Sequence, residues 1–150
     1  MTYEDLIKAR IIEPCKVDDA EIAGNLRAAR QDRKNAEYMA VNDLDWGFNI
    51  AYNSILQAAL AYMYWQGYMP RGSGKHYNTF EFLKEALPKE FHKDIARCQR
   101  LRKKRNCSVY GKRGLISEDD AKNILAFSKR FLDEISDLLP KNIIKMSKEP

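Results

Sequence analysis

The stretch that decides the fold runs from residue 46 to residue 65 and reads WGFNIAYNSILQAALAYMYW. Its large apolar side chains recur at steps of three and four, the spacing of a helix buried along one face. Polar residues interrupt it at Asn49, Asn53, Ser54 and Gln57, so it is typical of a core helix and not of a membrane span. The helix is expected to start at Asp43 or Asp45, to end near Gly67 and to bury Phe48, Tyr52, Ile55, Ala59, Tyr62 and Met63.

Two further helices are predicted on the N-terminal side of this stretch. Thr2 to Asp5 has the spacing of a capping box and opens a short helix that stops before Pro14. Asp18 and Asp19 place negative charge at the start of a second helix that runs to about Asn42. The buried face of that helix is predicted to consist mostly of small residues, namely Ile22, Leu26, Ala29 and Ala36.

A glycine-containing loop, Pro70 to Asn78, follows the central stretch. Thr79 is expected to cap a short helix that continues through Leu87. Within the loop, Arg71-Gly72-Ser73-Gly74-Lys75 resembles a phosphate-binding loop superficially. It lacks the required spacing and follows a helix, so it receives little weight as a site.

The C-terminal part of the chain is also predicted to be helical. A fifth helix should run from Lys89 to about Tyr110, and the capping box from Ser117 to Asp120 opens a last one. The tail from Lys141 is expected to be frayed. The sequence therefore predicts an all-α fold, an up-and-down four-helix-bundle core with additional short helices.

Composition limits the classes of protein that fit. A length of 150 residues predicts a single domain, residues 1–150, and 45% apolar with 31% charged residues is typical of a globular protein. The 3 cysteines have no CxxC spacing and there are 2 histidines, so no metal site and no cofactor are expected. Residues 1–16 carry charge throughout, which predicts no signal peptide and a cytoplasmic protein with no membrane partner.

The positive charge is concentrated in residues 93–113, which we call the basic segment. It holds nine Lys and Arg residues against the single Asp94, a net charge of +8, whereas the whole chain carries +5. Such a surface attracts phosphate, and nucleic acid is the commonest phosphate-rich partner. A solvated helix face that only keeps the protein in solution is the alternative. The candidate nucleic-acid-binding residues are Arg100, Arg102, Lys103, Lys104, Lys112 and Arg113.

Arg105 differs from most other cations of the basic segment because it continues an apolar stripe. Phe91, Ile95, Cys98, Arg102, Arg105 and Val109 recur at helical spacing. A half-buried guanidinium needs acceptors, since leaving it unpaired would cost several kcal/mol. The acceptor could be an acidic side chain such as Asp45, a second subunit or a phosphate.

The aromatic residues around the central helix admit two interpretations. Tyr52, Tyr62, Tyr64 and Tyr68, together with Trp46 and Trp65, could stack on nucleic-acid bases. Aromatic side chains at helical spacing are more often part of a core or of a dimer interface, and we prefer that interpretation.

The chain resembles the HEPN superfamily. The resemblance rests on the Ala- and Tyr-rich helix from Ala51 to Ala61, which leads into Gly67-Tyr68-Met69-Pro70 and a loop with His76, and on the late pair Arg105-Asn106. That pair is similar to the R-x(4–6)-H motif of the superfamily, and the similarity spans roughly residues 18 to 140. It implies a helical bundle that dimerises and brings two motifs together at the interface.

The resemblance also implies an activity, with one departure. Many members are metal-independent ribonucleases, including toxins encoded beside a nucleotidyltransferase. In them the Arg stabilises the charged phosphorane, the polar neighbour orients the His, and the His moves protons; Arg105 and Asn106 match the first two roles. Tyr110 occupies the histidine position, and a tyrosine with a pKa of ~10 is a poor base at neutral pH. His76 and His92 are interpreted as surface residues, and neither can be assumed to take over this role.

Three functions remain open on the sequence. The first is an RNA- or nucleotide-binding homodimer, a toxin–antitoxin component with weak or lost ribonuclease activity, whose site residues are Arg105, Asn106 and Tyr110. The second is an active ribonuclease toxin with Tyr110 as an acid. The third is a structural or interaction module in which Arg105 forms an internal ion pair. Whether the protein is an enzyme is therefore undecided at this point.

Overall fold

The computed structural model describes residues 1–111 and 114–149 and confirms the all-α expectation. Four helices of 19 to 24 residues form the core, and three shorter helices and two three-residue strands surround them in the described part of the chain. In chain order the helices are α1 (Tyr3–Lys8), α2 (Asp19–Asn42), α3 (Leu44–Trp65), α4 (Lys75–Ala86), α5 (His92–Tyr110), α6 (Glu118–Leu138) and α7 (Lys141–Ser147).

Helix α3 lies at the centre of the molecule and packs against α2, α4, α5 and α6. The predicted core positions Phe48, Tyr52, Ile55, Ala59, Tyr62 and Met63 are all buried. On α2 the predicted face of small residues is buried as well, which allows the two helices to approach closely. The two backbones are in close contact at Gly47, where an added Cβ would lie 2.6 Å from the Cα of Ala40. Any larger residue at position 47 would therefore push α2 and α3 apart.

A two-stranded ribbon that the periodicity did not predict joins the N-terminus to the end of α3. Strand β1 (Ile12–Pro14) pairs antiparallel with β2 (Tyr68–Pro70), with Ile12 opposite Pro70. Gly67 has a φ of +93°, which lets the chain turn from α3 into β2 without steric cost. Strands of three residues are too short to show a period of two, so the sequence carried no usable signal for them.

Helix α4 begins five residues earlier than the sequence predicted. Gly74 occupies the N-cap position, and Thr79 lies inside the helix, where its hydroxyl donates to the carbonyl of Lys75 at 2.7 Å. The side-chain amide of Asn78 donates to the carbonyl of Arg71 at 2.6 Å and closes the loop over residues 71–78. The expectation that Thr79 caps this helix is therefore wrong, and the loop from Arg71 leads directly into a helix N-terminus.

The C-terminal tail is also more ordered than predicted. Residues Lys141–Ser147 form α7, whose Ile143 is fully buried, and the guanidinium of Arg27 on α2 donates to the carbonyl of Met146 at 2.8 Å. The expectation of a frayed tail is wrong because α7 docks on α2. In the part of the chain that the structure describes, none of the helices combines the length and apolar character needed to cross a bilayer.

Candidate functional site

A cleft of about 470 Å³ lies between the start of α4 and the last turns of α5, and we call it the basic cleft. One wall consists of residues 72–77, which are the glycine-containing loop and the first turn of α4. The other wall consists of Arg102, Arg105 and Asn106 of α5. The two walls meet because α4 and α5 pack side by side. The fold thus brings Arg105 and Asn106 next to a loop that was not expected to form a site.

Arg105 is half-buried, as its place on the apolar stripe predicted. Its guanidinium carbon lies 5.7 Å from the ring centroid of Tyr52, within the range of a cation–π contact. Its Nη1 lies 3.4 Å from Oδ1 of Asn106, a long hydrogen bond between neighbouring residues. The side chain of Asn106 therefore helps to orient the guanidinium in the basic cleft.

The Nε of Arg102 is held by a hydrogen bond to Gln99, and its two terminal nitrogens remain for a ligand in the basic cleft. The Nε donates to Oε1 of Gln99 at 2.8 Å, and Nε2 of Gln99 donates to the carbonyl of Tyr77 at 3.2 Å. The guanidinium carbon of Arg102 lies 5.3 Å from the Tyr77 ring centroid. Neither terminal nitrogen hydrogen-bonds to protein among residues 1–111 and 114–149. An anion in the basic cleft can therefore accept hydrogen bonds from them.

His76 lies in the wall of the basic cleft opposite these arginines. Its Nδ1 lies 3.2 Å from the hydroxyl of Tyr52, and the centroids of the two rings are 5.8 Å apart. Burial lowers the pKa of His76 below its usual value, and the positive charges of Arg105 and Arg102 lower it further. Burial also raises the pKa of Tyr52, against the smaller opposite effects of Arg105 and Arg102.

The expectation that His76 is a surface residue is wrong, because its side chain is half-buried beside Tyr52. One signal could have pointed to it. Tyr52 was predicted to be a core residue, and a buried tyrosine hydroxyl usually requires a hydrogen-bond partner. The loop histidine of the following segment was a natural candidate.

Three other described cations of the basic segment, Arg100, Lys103 and Lys104, lie on other surfaces. Lys104 lies 2.8 Å from Asp120 of α6 in an ion pair. Arg100 and Lys103 are exposed and line a separate groove of about 300 Å³ between α4 and α5. Of the predicted site residues, Lys112, Arg113 and the side chain of Tyr110 lie outside the described residues.

A second cleft, of about 310 Å³, lies on the other side of Arg105, and we call it the aromatic cleft. Trp46 lines it and is 50% exposed, so its ring is accessible from solvent. Asn53 also lines it and donates from Nδ2 to Oδ2 of Asp32 at 2.6 Å. Arg105 borders both clefts, with cations on one side and an exposed indole on the other.

The aromatic residues divide according to burial. Tyr52 and Tyr62 belong to the core, which agrees with the preferred interpretation of the aromatic residues as core or interface residues. Trp46, in contrast, is half-exposed. The described part of the chain holds no group of three His, Cys, Asp or Glu side chains that could bind a metal ion. The described side chains that line the basic cleft carry guanidinium, ammonium, amide, imidazole and hydroxyl groups.

Comparison with known proteins is consistent with this arrangement. Residues 24–138 match the family model described as HEPN domain. The match covers α3 and α5 entirely and includes every residue of both clefts. A comparison with curated proteins found no significant match.

Proposed function

The chain belongs to the HEPN family, and from this premise we propose that it binds RNA or another nucleotide through Arg105, Asn106 and the two clefts that meet at Arg105. The observation that carries the proposal is the position of Arg105 between a cationic cleft and an aromatic one. A nucleotide has two parts that these clefts complement, a negatively charged phosphate and a flat base. The half-buried guanidinium of Arg105 lies between the two clefts, where these two parts would join.

The basic cleft supplies the phosphate contacts in this proposal. Lys75, Arg102 and Arg105 line it, and none of the described residues that line it carries a carboxylate. Guanidinium groups donate paired hydrogen bonds to phosphate oxygens, and such charge-assisted bonds are roughly twice as strong as neutral ones. Arg100 and Lys103, which line the neighbouring groove, would add weaker contacts to the phosphate backbone of the RNA. Such contacts position a nucleic-acid strand without reading its base sequence.

The aromatic cleft supplies the base contact. The half-exposed ring of Trp46 can stack on any base, and such stacking contributes roughly 1–3 kcal/mol per base. The amide of Asn53 lines the same cleft and already donates one hydrogen bond to Asp32. Stacking of this kind tolerates different bases, so we expect weak sequence preference.

Ribonuclease activity is expected to be weak or lost. Tyr110 occupies the histidine position of the family motif, and a phenol is almost wholly protonated at neutral pH. It can donate a hydrogen bond to phosphate but is a poor general base. We therefore propose a binding protein that is one component of a toxin–antitoxin pair with a nucleotidyltransferase-type partner.

An active ribonuclease toxin is the second candidate function. The observation in its favour is that a titratable imidazole, His76, lies in the same cleft as Arg105. In this version the 2′-hydroxyl of the substrate attacks the phosphate and releases its proton to water, the bond to the 5′-oxygen breaks, and Tyr110 acts as the acid that protonates this leaving oxygen. Loss of turnover in both Arg105→Ala and Tyr110→Phe would support it, and unchanged turnover in both would contradict it.

A homodimer is part of the proposal. Apolar side chains are exposed at and just beyond the end of α5, among them Val109 and Leu115, which are 41% and 45% exposed. Closed two-fold dimers are the commonest soluble oligomers, and such an interface would cover these side chains. Light scattering on the purified protein would measure the mass directly, with a monomer at all concentrations contradicting this part.

The decisive experiment is incubation of total RNA with purified protein in EDTA, beside Arg105→Ala prepared identically. The proposal predicts little or no cleavage by either, and binding of single-stranded RNA by the unchanged protein at low salt. Cleavage that Arg105→Ala abolishes would instead establish the ribonuclease. Absence of RNA binding at low salt, with Arg105→Ala less stable to urea, would leave only a structural module.

A further inference from the structure

We propose that His76 is a phosphate-binding residue of the basic cleft, that it donates a hydrogen bond from Nε2, and that Tyr52 fixes which ring nitrogen carries the hydrogen. The inference rests on the proposed function, since it concerns the same cleft. It names the contact that an anion would make opposite Arg102 and Arg105.

Tyr52 must be the donor in its hydrogen bond with His76. The Tyr52 side chain is 1% exposed, and burial raises its pKa, so the hydroxyl keeps its proton at physiological pH. A buried hydroxyl left without an acceptor costs roughly 1–3 kcal/mol. Among the described residues its hydrogen-bond partner is Nδ1 of His76 alone. The hydroxyl hydrogen therefore points to Nδ1.

The hydrogen bond from Tyr52 determines which nitrogen of the His76 imidazole carries a hydrogen. A nitrogen that accepts a hydrogen bond carries no hydrogen, so a neutral His76 ring has its hydrogen on Nε2. The groups that face His76 favour the neutral ring: the buried Tyr52 hydroxyl from α3, Arg102 and Arg105 from α5, and Lys75 from its own helix. Burial and these two guanidinium groups lower the pKa of His76. The ring is thus a neutral donor at neutral pH.

The Nε2–H group of His76 is a donor that can bind an anion in the basic cleft. Nδ1 is occupied by Tyr52, so Nε2 is the ring nitrogen left for a ligand in the cleft that His76 lines. Arg102 supplies charge and unused donors, and His76 adds a directional N–H without a second buried charge. The N-terminus of α4 lines the same cleft. Its N-cap residue is Gly74, which has no side chain that could accept a hydrogen bond from the first backbone N–H groups of the helix. Phosphate is the anion that matches several convergent N–H donors.

The same arrangement disfavours His76 as a general base. A base must present a lone pair to the hydroxyl that it deprotonates. The Nε2 of His76 presents a hydrogen instead, as long as Tyr52 donates to Nδ1. The histidine in this cleft is therefore suited to holding a phosphate and not to activating a nucleophile.

The test is nitrogen NMR of the histidine rings in the full-length protein at pH 7, with His92 as the internal reference. His92 lies outside the basic cleft, and its Nε2 is 3.1 Å from the carbonyl of Lys84. We expect the His76 ring to carry its hydrogen on Nε2, and Tyr52→Phe to convert it to a mixture of tautomers. A ring protonated on Nδ1, or charged at pH 7 in the free protein, would overturn the inference.

Binding measurements complete the test. Inorganic phosphate and single-stranded RNA should shift the His76 Nε2 resonance saturably, and His76→Ala should weaken RNA binding about 10–100-fold, the loss of one hydrogen bond to a charged group. His92→Ala should bind as the unchanged protein does. Equal binding of RNA with a 5′-hydroxyl or a 5′-phosphate identifies a backbone phosphodiester as the ligand, and preference for the 5′-phosphate identifies a terminal one.

The outcomes separate the two proposals. If RNA binds with normal salt dependence and His76→Ala has no effect, only the role of His76 is refuted. If neither RNA nor phosphate binds at low salt, the proposed function fails as well.

Discussion

The hydroxyl of Ser108 donates to Oδ1 of Asp45 at 2.7 Å, and this contact ties the last turn of α5 to the first turn of α3. Both residues are buried, and the backbone N–H of Gly114 donates to the other carboxylate oxygen at 3.2 Å. Asp45 was one of the acceptors that the sequence offered for Arg105. Its described hydrogen bonds serve a different purpose, because they fix the end of the helix that carries Arg105.

Replacing Ser108 by Ala should therefore destabilise the protein. The change removes the donor to a buried carboxylate, and hydrogen bonds to charged groups contribute roughly 1.5–3 kcal/mol. We expect the free energy of unfolding, measured by urea denaturation, to fall by an amount in that range. RNA binding should weaken too, because the Arg105 turn would lose its attachment to α3.

Cys107→Ala is the matched control for this change. Cys107 is the preceding residue on α5 and is exposed, so its truncation removes no buried contact. Its stability should stay within about 0.5 kcal/mol of the unchanged protein, as is usual for surface substitutions. Equal stability of both variants would show that the Ser108–Asp45 bond contributes nothing.

The central and last helices could be predicted because their signals are local. The buried positions of α3 follow from a period of three and four, and the start of α6 follows from Ser117 and Asp120, whose capping box is present. Half-burial of Arg105 followed from its place on the stripe. These are properties that one helix determines by itself.

The composite site could not be predicted because it depends on contacts between distant segments. Tyr52 and His76 are 24 residues apart, and nothing in either segment states that α3 and α4 will bring them within 3.2 Å. The start of α4 was misplaced because Thr79 has the residue type of a cap but donates to Lys75 instead. With the helix start misplaced, the loop before it could not be recognised as a wall of the site.

The ion pair between Lys104 and Asp120 makes a prediction about pH. The hydrogen bond from Lys104, and next the backbone of Ser117, hold the pKa of Asp120 below its usual value. A lowered carboxyl pKa gives stability that is present above the unfolded value of ~3.9 and is lost as the pH falls through the folded pKa. Lys104→Gln should raise the pKa of Asp120 towards that value.

Carbon NMR of the Asp120 carboxyl would measure this change directly. Because both side chains are partly exposed, the loss of stability at pH 7 should not exceed about 1 kcal/mol. The difference between the two proteins should disappear at a pH low enough to protonate Asp120. An unchanged Asp120 titration in Lys104→Gln would show that the ion pair does not form in solution.

The cationic surroundings of His76 make a second prediction about pH. Its pKa lies below the ordinary ~6.5 because of burial first and then Arg105 and Arg102. The unfolded chain therefore binds the proton more tightly, and stability rises with pH between the folded and the unfolded pKa. Below that window the proton is bound in both states, and the contribution of His76 to stability is gone.

Arg105→Gln should raise the pKa of His76 part of the way to its ordinary value, because the burial remains. Proton NMR of the imidazole ring would follow the titration in both proteins. Lys16→Gln is the control, since it removes one positive charge from an exposed site outside the basic cleft. Identical His76 titrations in Arg105→Gln and Lys16→Gln would contradict the proximity of Arg105 to His76.

The salt dependence of RNA binding distinguishes phosphate contact in the basic cleft from general attraction to a basic protein. If three or four phosphates are contacted, log affinity for single-stranded RNA should fall with log salt at a slope of roughly −2 to −3. Arg102→Gln should make the slope shallower by ~0.7, the loss of one contact, and should weaken binding at low salt. Lys104→Gln should have a smaller effect, because Lys104 is already paired with Asp120.

Lys16→Gln again supplies the charge-matched control, and filter binding at several salt concentrations provides the measurement. The unit change in net charge is the same in Lys16→Gln and Arg102→Gln, so general attraction predicts equal slopes. Contact in the cleft predicts that only Arg102→Gln departs from the unchanged protein, since its terminal nitrogens face an open cleft lined with further cations. A flat salt response in the unchanged protein would contradict phosphate binding altogether.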